Sequence, residues 1–241
     1  MDRSATPSRA RRRITTVMVA IALVGLMVAV LLAIAWSVLL PHYRPSLHQG
    51  ERYGIDVSHH QGAIDWHMVA DDDISFAYIK ASQGHDFIDP RFHENAQGAT
   101  SSGVEWGAYH FFSFCSSGVS QARLFLRVLP TVGWRLPPAV DLELAGNCDR
   151  RPSEAWVRDN LMIFLDQVEE ASESETVLYL REDFVSLYPF AGDLDRPRWV
   201  VRFLRRPPGS WRFWQVGGYA QVEGISGRVD LDVGRLEVGD R

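Results

Sequence analysis

Cysteine is scarce in this chain, with two in 241 residues. Two thiols cannot build a disulfide-dense scaffold or a four-cysteine zinc site. Positive charge is in deficit, with 25 lysines and arginines against 30 acids for a net charge of -5. That balance excludes a general nucleic-acid binder, which would carry a basic face. A mean hydropathy of -0.12 excludes a polytopic membrane protein. No internal repeat or low-complexity tract interrupts the sequence, and no helix carries a zinc-binding His-x-Glu-x-x-His pattern, so His59, His60 and His110 predict no metal and no cofactor.

Charge is missing altogether from Ile14 to Leu40, a run of 27 residues. As a helix it spans about 40 Å, against a hydrocarbon core of roughly 30 Å. Arg3, Arg9, Arg11, Arg12 and Arg13 precede it, opposed only by Asp2. Positive charge on that side keeps the amino terminus in the cytoplasm. The expectation is a single-pass protein of the cytoplasmic membrane: a basic tail (1–13), a signal-anchor helix (14–40), a linker (41–51) and an exported domain (52–241). A cleaved signal peptide is the alternative, since Ala33-Ile34-Ala35 resembles a cleavage site, but its apolar core would be about 7–15 residues. Removing the five basic residues and one acid before Leu40 leaves 20 basic and 29 acidic residues, a net -9 that keeps a domain soluble and names no partner.

The exported part is long enough for one sizeable core. Eight apolar runs of strand length recur in it: 53–57, 76–80, 106–112, 139–142, 177–180, 199–203, 213–216 and 228–231. Helical stretches separate several of them. Residues 90–102 open on Pro90 and stop before Gly103; residues 120–129 place Leu124, Phe125 and Val128 at helical spacing; residues 153–171 open on Ser153 and carry one stripe from Val157 to Val168. Alternating strands and helices predict an α/β fold with a parallel sheet or barrel. The last three runs lack room for full helices, so the barrel is expected to be irregular, with about five β/α units and three closing strands.

Acids sit at the ends of these runs. Asp56 ends the first, Asp141 and Glu143 the fourth, and Asp230 the eighth. In a parallel barrel the strand carboxyl ends share one face, where active sites lie. Residues i and i+2 of a strand point the same way, so Asp141 and Glu143 face one cleft. Paired carboxylates suit glycoside hydrolysis, where one must keep a proton for the leaving oxygen. A lone Asp-x-Glu is an ordinary surface pair; convergence from three strand ends points to a site. Tyr109, Tyr179 and Trp214 lie near predicted strand ends, where sugar faces can stack, with His110 and Gln215 as polar candidates beside them. Lys80, the chain's one lysine, ends the second run within reach of an acid. Cys115 and Cys148 follow the third and fourth runs, so neighbouring loops can bring them together. A bridge is the expectation in an oxidising compartment, and two free thiols are the alternative.

The order of short motifs resembles glycoside hydrolase family 25, the Chalaropsis-type muramidases, over nearly the whole exported part. The resemblance is carried by Gly54-Ile55-Asp56-Val57-Ser58-His59-His60-Gln61-Gly62, Phe76-Ala77-Tyr78-Ile79-Lys80-Ala81, Asp89-Pro90-Arg91-Phe92 and Gly107-Ala108-Tyr109-His110-Phe111-Phe112. It continues through Pro137-Pro138-Ala139-Val140-Asp141-Leu142-Glu143, Trp214-Gln215 and Gly224-Ile225-Ser226-Gly227-Arg228-Val229-Asp230-Leu231. It implies an irregular TIM-like barrel that cleaves the β-1,4 bond between N-acetylmuramic acid and N-acetylglucosamine in peptidoglycan. It also implies Glu143 as general acid, Asp141 as the partner that steadies the transition state or orients the acetamido group, and Asp56 and Asp230 as supporting acids. Gln83 replaces an acid usual in the family, and Arg202 stands in the sixth strand, 199–203, where an Ala and a Tyr are usual in the family's Tyr-rich cleft. Those departures keep a second reading open, a wall-binding module without catalysis; a third, a hydrolase of another amino-sugar polymer such as chitin, stays open because no residue pattern names the sugar at each subsite.

Overall fold

A computed structural model describes residues 9–130 and 133–236. The chain divides into two units, Met1–Tyr43 and Arg44–Arg241. The first is helical. Helix α1 (Arg9–Ile34) widens over Ala35–Leu39 and tightens over Leu40–His42. Its apolar span, Thr16–His42, is 27 residues, long enough to cross a membrane. Ser37 returns its hydroxyl to the Ala33 carbonyl at 2.5 Å, so this polar group is satisfied inside the helix.

The second unit is a closed barrel. Its strands are β1 (Glu51–Val57), β2 (Ile74–Gln83), β4 (Glu105–Phe111), β5 (Ala139–Leu142), β6 (Val177–Leu180), β7 (Arg198–Val201), β8 (Phe213–Ala220) and β9 (Val229–Arg235). They pair in the order β1-β2-β4-β5-β6-β7-β8-β9, and β9 pairs back onto β1. Each of the eight apolar runs contains or overlaps one of these strands. A two-residue strand, β3 (Phe87–Ile88), folds back antiparallel on the end of β2 and has no counterpart among those runs. Helices α2 (Trp66–Asp71), α3 (Phe92–Ser101), α4 (Gly118–Val128), α5 (Glu154–Ser172) and α6 (Glu182–Leu187) fill the connections from β1 to β7. The three long predicted helices are α3, α4 and α5; α2 and α6, at six residues each, are too short for a periodic pattern to reveal. No α-helix separates β7, β8 and β9.

Sequence chemistry sets the helix starts. The Ser117, Ser153 and Asp65 side chains accept backbone N–H groups at the first turns of α4, α5 and α2. Gly118 lets α4 approach α5 closely, since a Cβ there would sit 1.9 Å from the Asn160 carbonyl oxygen. Strand alternation then sorts the side chains. Phe76, Tyr78, Ala139, Val177, Tyr179, Trp199 and Phe213 form the buried cluster inside the barrel. Gly54 and Gly234 carry no side chain because the Phe76 ring fills that space, 2.3 Å from where a Gly54 Cβ would lie.

One element runs against the parallel-barrel expectation. β9 is antiparallel to both β8 and β1. Asp230 therefore lies near the beginning of its strand, not at its carboxyl end. It still reaches the pole where the other strands finish, because the strand direction is reversed, and it pairs in register with Asp56.

Candidate active site

At that pole a cleft of about 460 Å³ opens, and Asp56, Asp141, Glu143 and Asp230 all line it. β1 supplies Asp56, the end of β5 supplies Asp141 and the adjoining Glu143, and β9 supplies Asp230. Inward parity on neighbouring strands adds Lys80, Tyr109, Tyr179, Trp199 and Gln215 to the walls.

The acids are held in a polar web. Gln215 Nε2 donates to Asp56 Oδ2 at 2.8 Å, and the Tyr179 hydroxyl donates to Gln215 Oε1 at 3.0 Å. Lys80 Nζ donates to Gln83 Oε1 at 2.8 Å and lies 4.9 Å from the centre of the Phe111 ring. Arg181 Nε lies 3.5 Å from Glu143 Oε2. Asn147 Nδ2 donates to the Glu143 carbonyl at 3.0 Å and to the Phe112 carbonyl at 2.8 Å, which ties the loop after β5 to the loop after β4. The Cys115–Cys148 disulfide joins the same two loops.

Burial dominates the electrostatics. It pushes the Asp56 and Asp141 carboxyls well above their ordinary range; the Asp230 charge adds to the effect on Asp56, and Glu143 to that on Asp141. Lys80 works the other way on Asp141. Burial also raises Glu143, with Arg181 pulling it back down. Asp230 is pushed up to about 6 by burial, again opposed by Arg181. The cluster retains protons at pH values where isolated carboxyls have lost theirs, and it titrates as a coupled set.

Two residues named from the sequence lie off the cleft wall. His110 is fully buried on the outer side of β4, stacked on Phe164, with its ring nitrogens on Ser82 and Gln121. Burial lowers its pKa to about 3, so it is a neutral core histidine. Trp214 is buried too, packed on Trp211, and its Nε1 donates to the Arg202 carbonyl. Parity is the reason in both cases, because their strand neighbours Tyr109 and Gln215 take the inward position. Of the two family departures, Gln83 lines the cleft and Arg202 does not.

Two other residues escaped the sequence reading. Asp232 is fully buried beneath the cleft, where Trp199 Nε1 donates to its Oδ1 at 2.9 Å. Burial and then the Asp56 charge push its carboxyl well up. The i, i+2 rule already applied to Asp141 and Glu143 would have found it from Asp230. Arg181 is the second, two residues beyond Tyr179 on the same inward side.

Among known proteins, the model of glycosyl hydrolases family 25 matches residues 55–227. The YegX protein of Escherichia coli K12 is 35% identical over 190 residues, covering 75% of this chain and 68% of that protein. Lysozyme M1 of Streptomyces globisporus is 31% identical over 198 residues, covering 73% of this chain and 65% of the lysozyme. The crystal structure of a bacterial lysozyme from Streptomyces coelicolor superposes with a TM-score of 0.70 at 30% identity, covering 78% of this chain and 93% of that one. With the family's match spanning most of the barrel and the same fold in a lysozyme, the chain belongs to glycosyl hydrolase family 25 and is a glycoside hydrolase.

Proposed function

We propose that the protein is a membrane-anchored muramidase. It cleaves the β-1,4 bond between N-acetylmuramic acid and N-acetylglucosamine in peptidoglycan on the outer side of the cytoplasmic membrane. The observation that carries this reading is the convergence of Asp56, Asp141, Glu143 and Asp230 in one cleft.

Glu143, the more exposed member of the β5 pair, donates a proton to the leaving oxygen. Its partner Asp141 is the acceptor. Asp141 Oδ1 is buried and receives no hydrogen bond among the described residues, which suits it to take the N–H of a substrate acetamido group. A proton shared within the coupled pair must sit on Glu143 for the reaction. Lys80 stabilises an ionised Asp141 and acts in the same sense on Glu143. Gln215 fixes Asp56, and Asp230, ionised above about pH 6, adds negative potential that favours an oxocarbenium-like transition state. Tyr109 and Tyr179 line the same cleft and offer ring faces and a hydroxyl to the sugars.

Dye release from labelled peptidoglycan tests this, with Glu143→Gln as the variant. We expect loss of at least a hundredfold in rate with the near-ultraviolet circular dichroism unchanged. Full activity in that variant removes Glu143 from the mechanism. Mass spectrometry of the products separates a muramidase from a hydrolase of chitin, and binding without new reducing ends would leave only a wall-binding module.

A further inference from the structure

Two fixed cations line the cleft among the described residues, Lys80 and Arg181, and they are placed differently. Lys80 is 8% exposed and committed to Gln83 and the Phe111 face. The Arg181 side chain is 41% exposed at the end of β6. Its nearest approaches to acids are both through Nε, 3.5 Å to Glu143 and 3.8 Å to Asp183. A charge-assisted hydrogen bond is about 2.7–2.9 Å, so neither contact is a closed one, and neither uses the two-pronged guanidinium fork that binds a carboxylate best.

The position is also wrong for a residue that merely supports catalysis. Glu143 faces Arg181 and Asp183 from the β6 side, Lys80 from β2, Asp56 from β1, Asp230 from β9 and Asp141 on its own strand. Of these, Arg181 opposes retention of the proton most strongly. An acid catalyst is impaired by that neighbour for as long as the two remain paired. A substrate that draws Arg181 away reverses the effect, and a cleft with four carboxyls needs such a cation before it can admit an anionic polymer.

We propose that Arg181 is a specificity-determining residue that receives a carboxylate of the substrate and, in doing so, releases Glu143 to hold its proton. This rests on the muramidase reading. The glycan of that reading carries carboxylates, either on the lactyl ether of muramic acid or on its stem peptide, whereas chitin carries none. The Arg181–Glu143 pair thus couples recognition of an acidic glycan to readiness of the proton donor.

The test uses the full chain in non-ionic detergent and three substrates: soluble glycan strands stripped of stem peptides, the same strands with lactyl carboxylates converted to N-methylamides, and peptide-bearing strands. New reducing ends are measured for the wild type, Arg181→Gln and Arg181→Lys. We expect the wild type to prefer carboxylate-bearing strands by at least tenfold in kcat/KM, Arg181→Gln to bring that ratio close to one, and Arg181→Lys to restore part of it. On amidated strands the basic limb of the kcat/KM profile moves to higher pH in Arg181→Gln, because Glu143 has lost the neighbour that lowered its pKa. Preference for peptide-free strands assigns the lactyl carboxylate; preference for peptide-bearing strands, whose lactyl carboxyl is already an amide, assigns the stem. An equal loss on acidic and amidated strands, with no shift in the limb, overturns the role of Arg181 and leaves the muramidase reading standing. A folded wild type that cleaves none of the three overturns both.

Discussion

Replacing Asp230 by asparagine is expected to stabilise the protein at pH 7.5 and to leave it nearly unchanged at pH 3.5. Burial raises the folded-state pKa of Asp230 from 3.8 to about 6. A carboxyl raised in this way binds its proton more tightly when folded than when unfolded. Its contribution is fully present below pH 3.8 and is lost as pH rises through 6. At about 1.36 kcal/mol per unit, the shift of about two units makes the charged form cost roughly 3 kcal/mol above pH 6. Asparagine keeps the shape and removes the charge. The gain is therefore about 3 kcal/mol at pH 7.5 and less than about 0.5 kcal/mol at pH 3.5, where both side chains are neutral. Urea unfolding of the full chain in detergent, read by near-ultraviolet circular dichroism, measures both values. An equal effect at the two pH values, or a less stable variant at pH 7.5, would refute the argument that burial rather than pairing sets this group. On the proposed mechanism the same substitution is expected to slow the enzyme, because the charge that destabilises the folded protein is one the transition state would use.

Two further outcomes follow from the architecture. The Cys115–Cys148 bridge closes a loop of 33 residues, which in the chain-entropy model contributes about 3–4 kcal/mol. Replacing both cysteines by alanine is expected to lower Tm by roughly 10 °C, and a fall under about 2 °C would show that the bridge constrains little. Activity at 25 °C should survive, since Asn147 still links the two loops through the Phe114 N–H and the Phe112 carbonyl. If residues 14–40 are an uncleaved anchor, the full-length chain will stay in the membrane pellet after alkaline carbonate extraction. Recovery of a shorter soluble product would identify a cleaved signal peptide instead.

Much of the barrel could be read from local pattern. Eight apolar runs correspond to eight strands because a strand buried between a core and a helix layer needs apolar residues on both faces. Ser153 marks the start of α5 because its side chain accepts one of the first free N–H groups, whereas α4 starts at Gly118 with Ser117 as its cap, ahead of the stretch from 120 that periodicity picks out. What local pattern missed was short or needed parity. β3, α2 and α6 are too brief for periodicity to register. Proximity to strand ends points His110 and Trp214 at the cleft, whereas the alternation of β4 and β8 turns them outward into packing with Phe164 and Trp211. Asp232 and Arg181 were legible by that same alternation from Asp230 and Tyr179.

The sequence by itself determined which barrel strands and long helices exist, which acids lie at strand termini, and that one uncharged run is long enough to cross a bilayer. These depend on spacing, composition and local hydrogen bonding, which are properties of neighbouring residues. Only the tertiary structure decided that β9 runs antiparallel, so that Asp230 meets Asp56 from the start of its strand. It alone placed Arg181 beside Glu143 and buried Asp232 beneath the cleft. Asp56 and Asp230 are separated by most of the barrel sequence, and their proton affinities depend on the desolvation and charge that closure imposes. That environment is a property of the closed sheet and of no single segment of the chain.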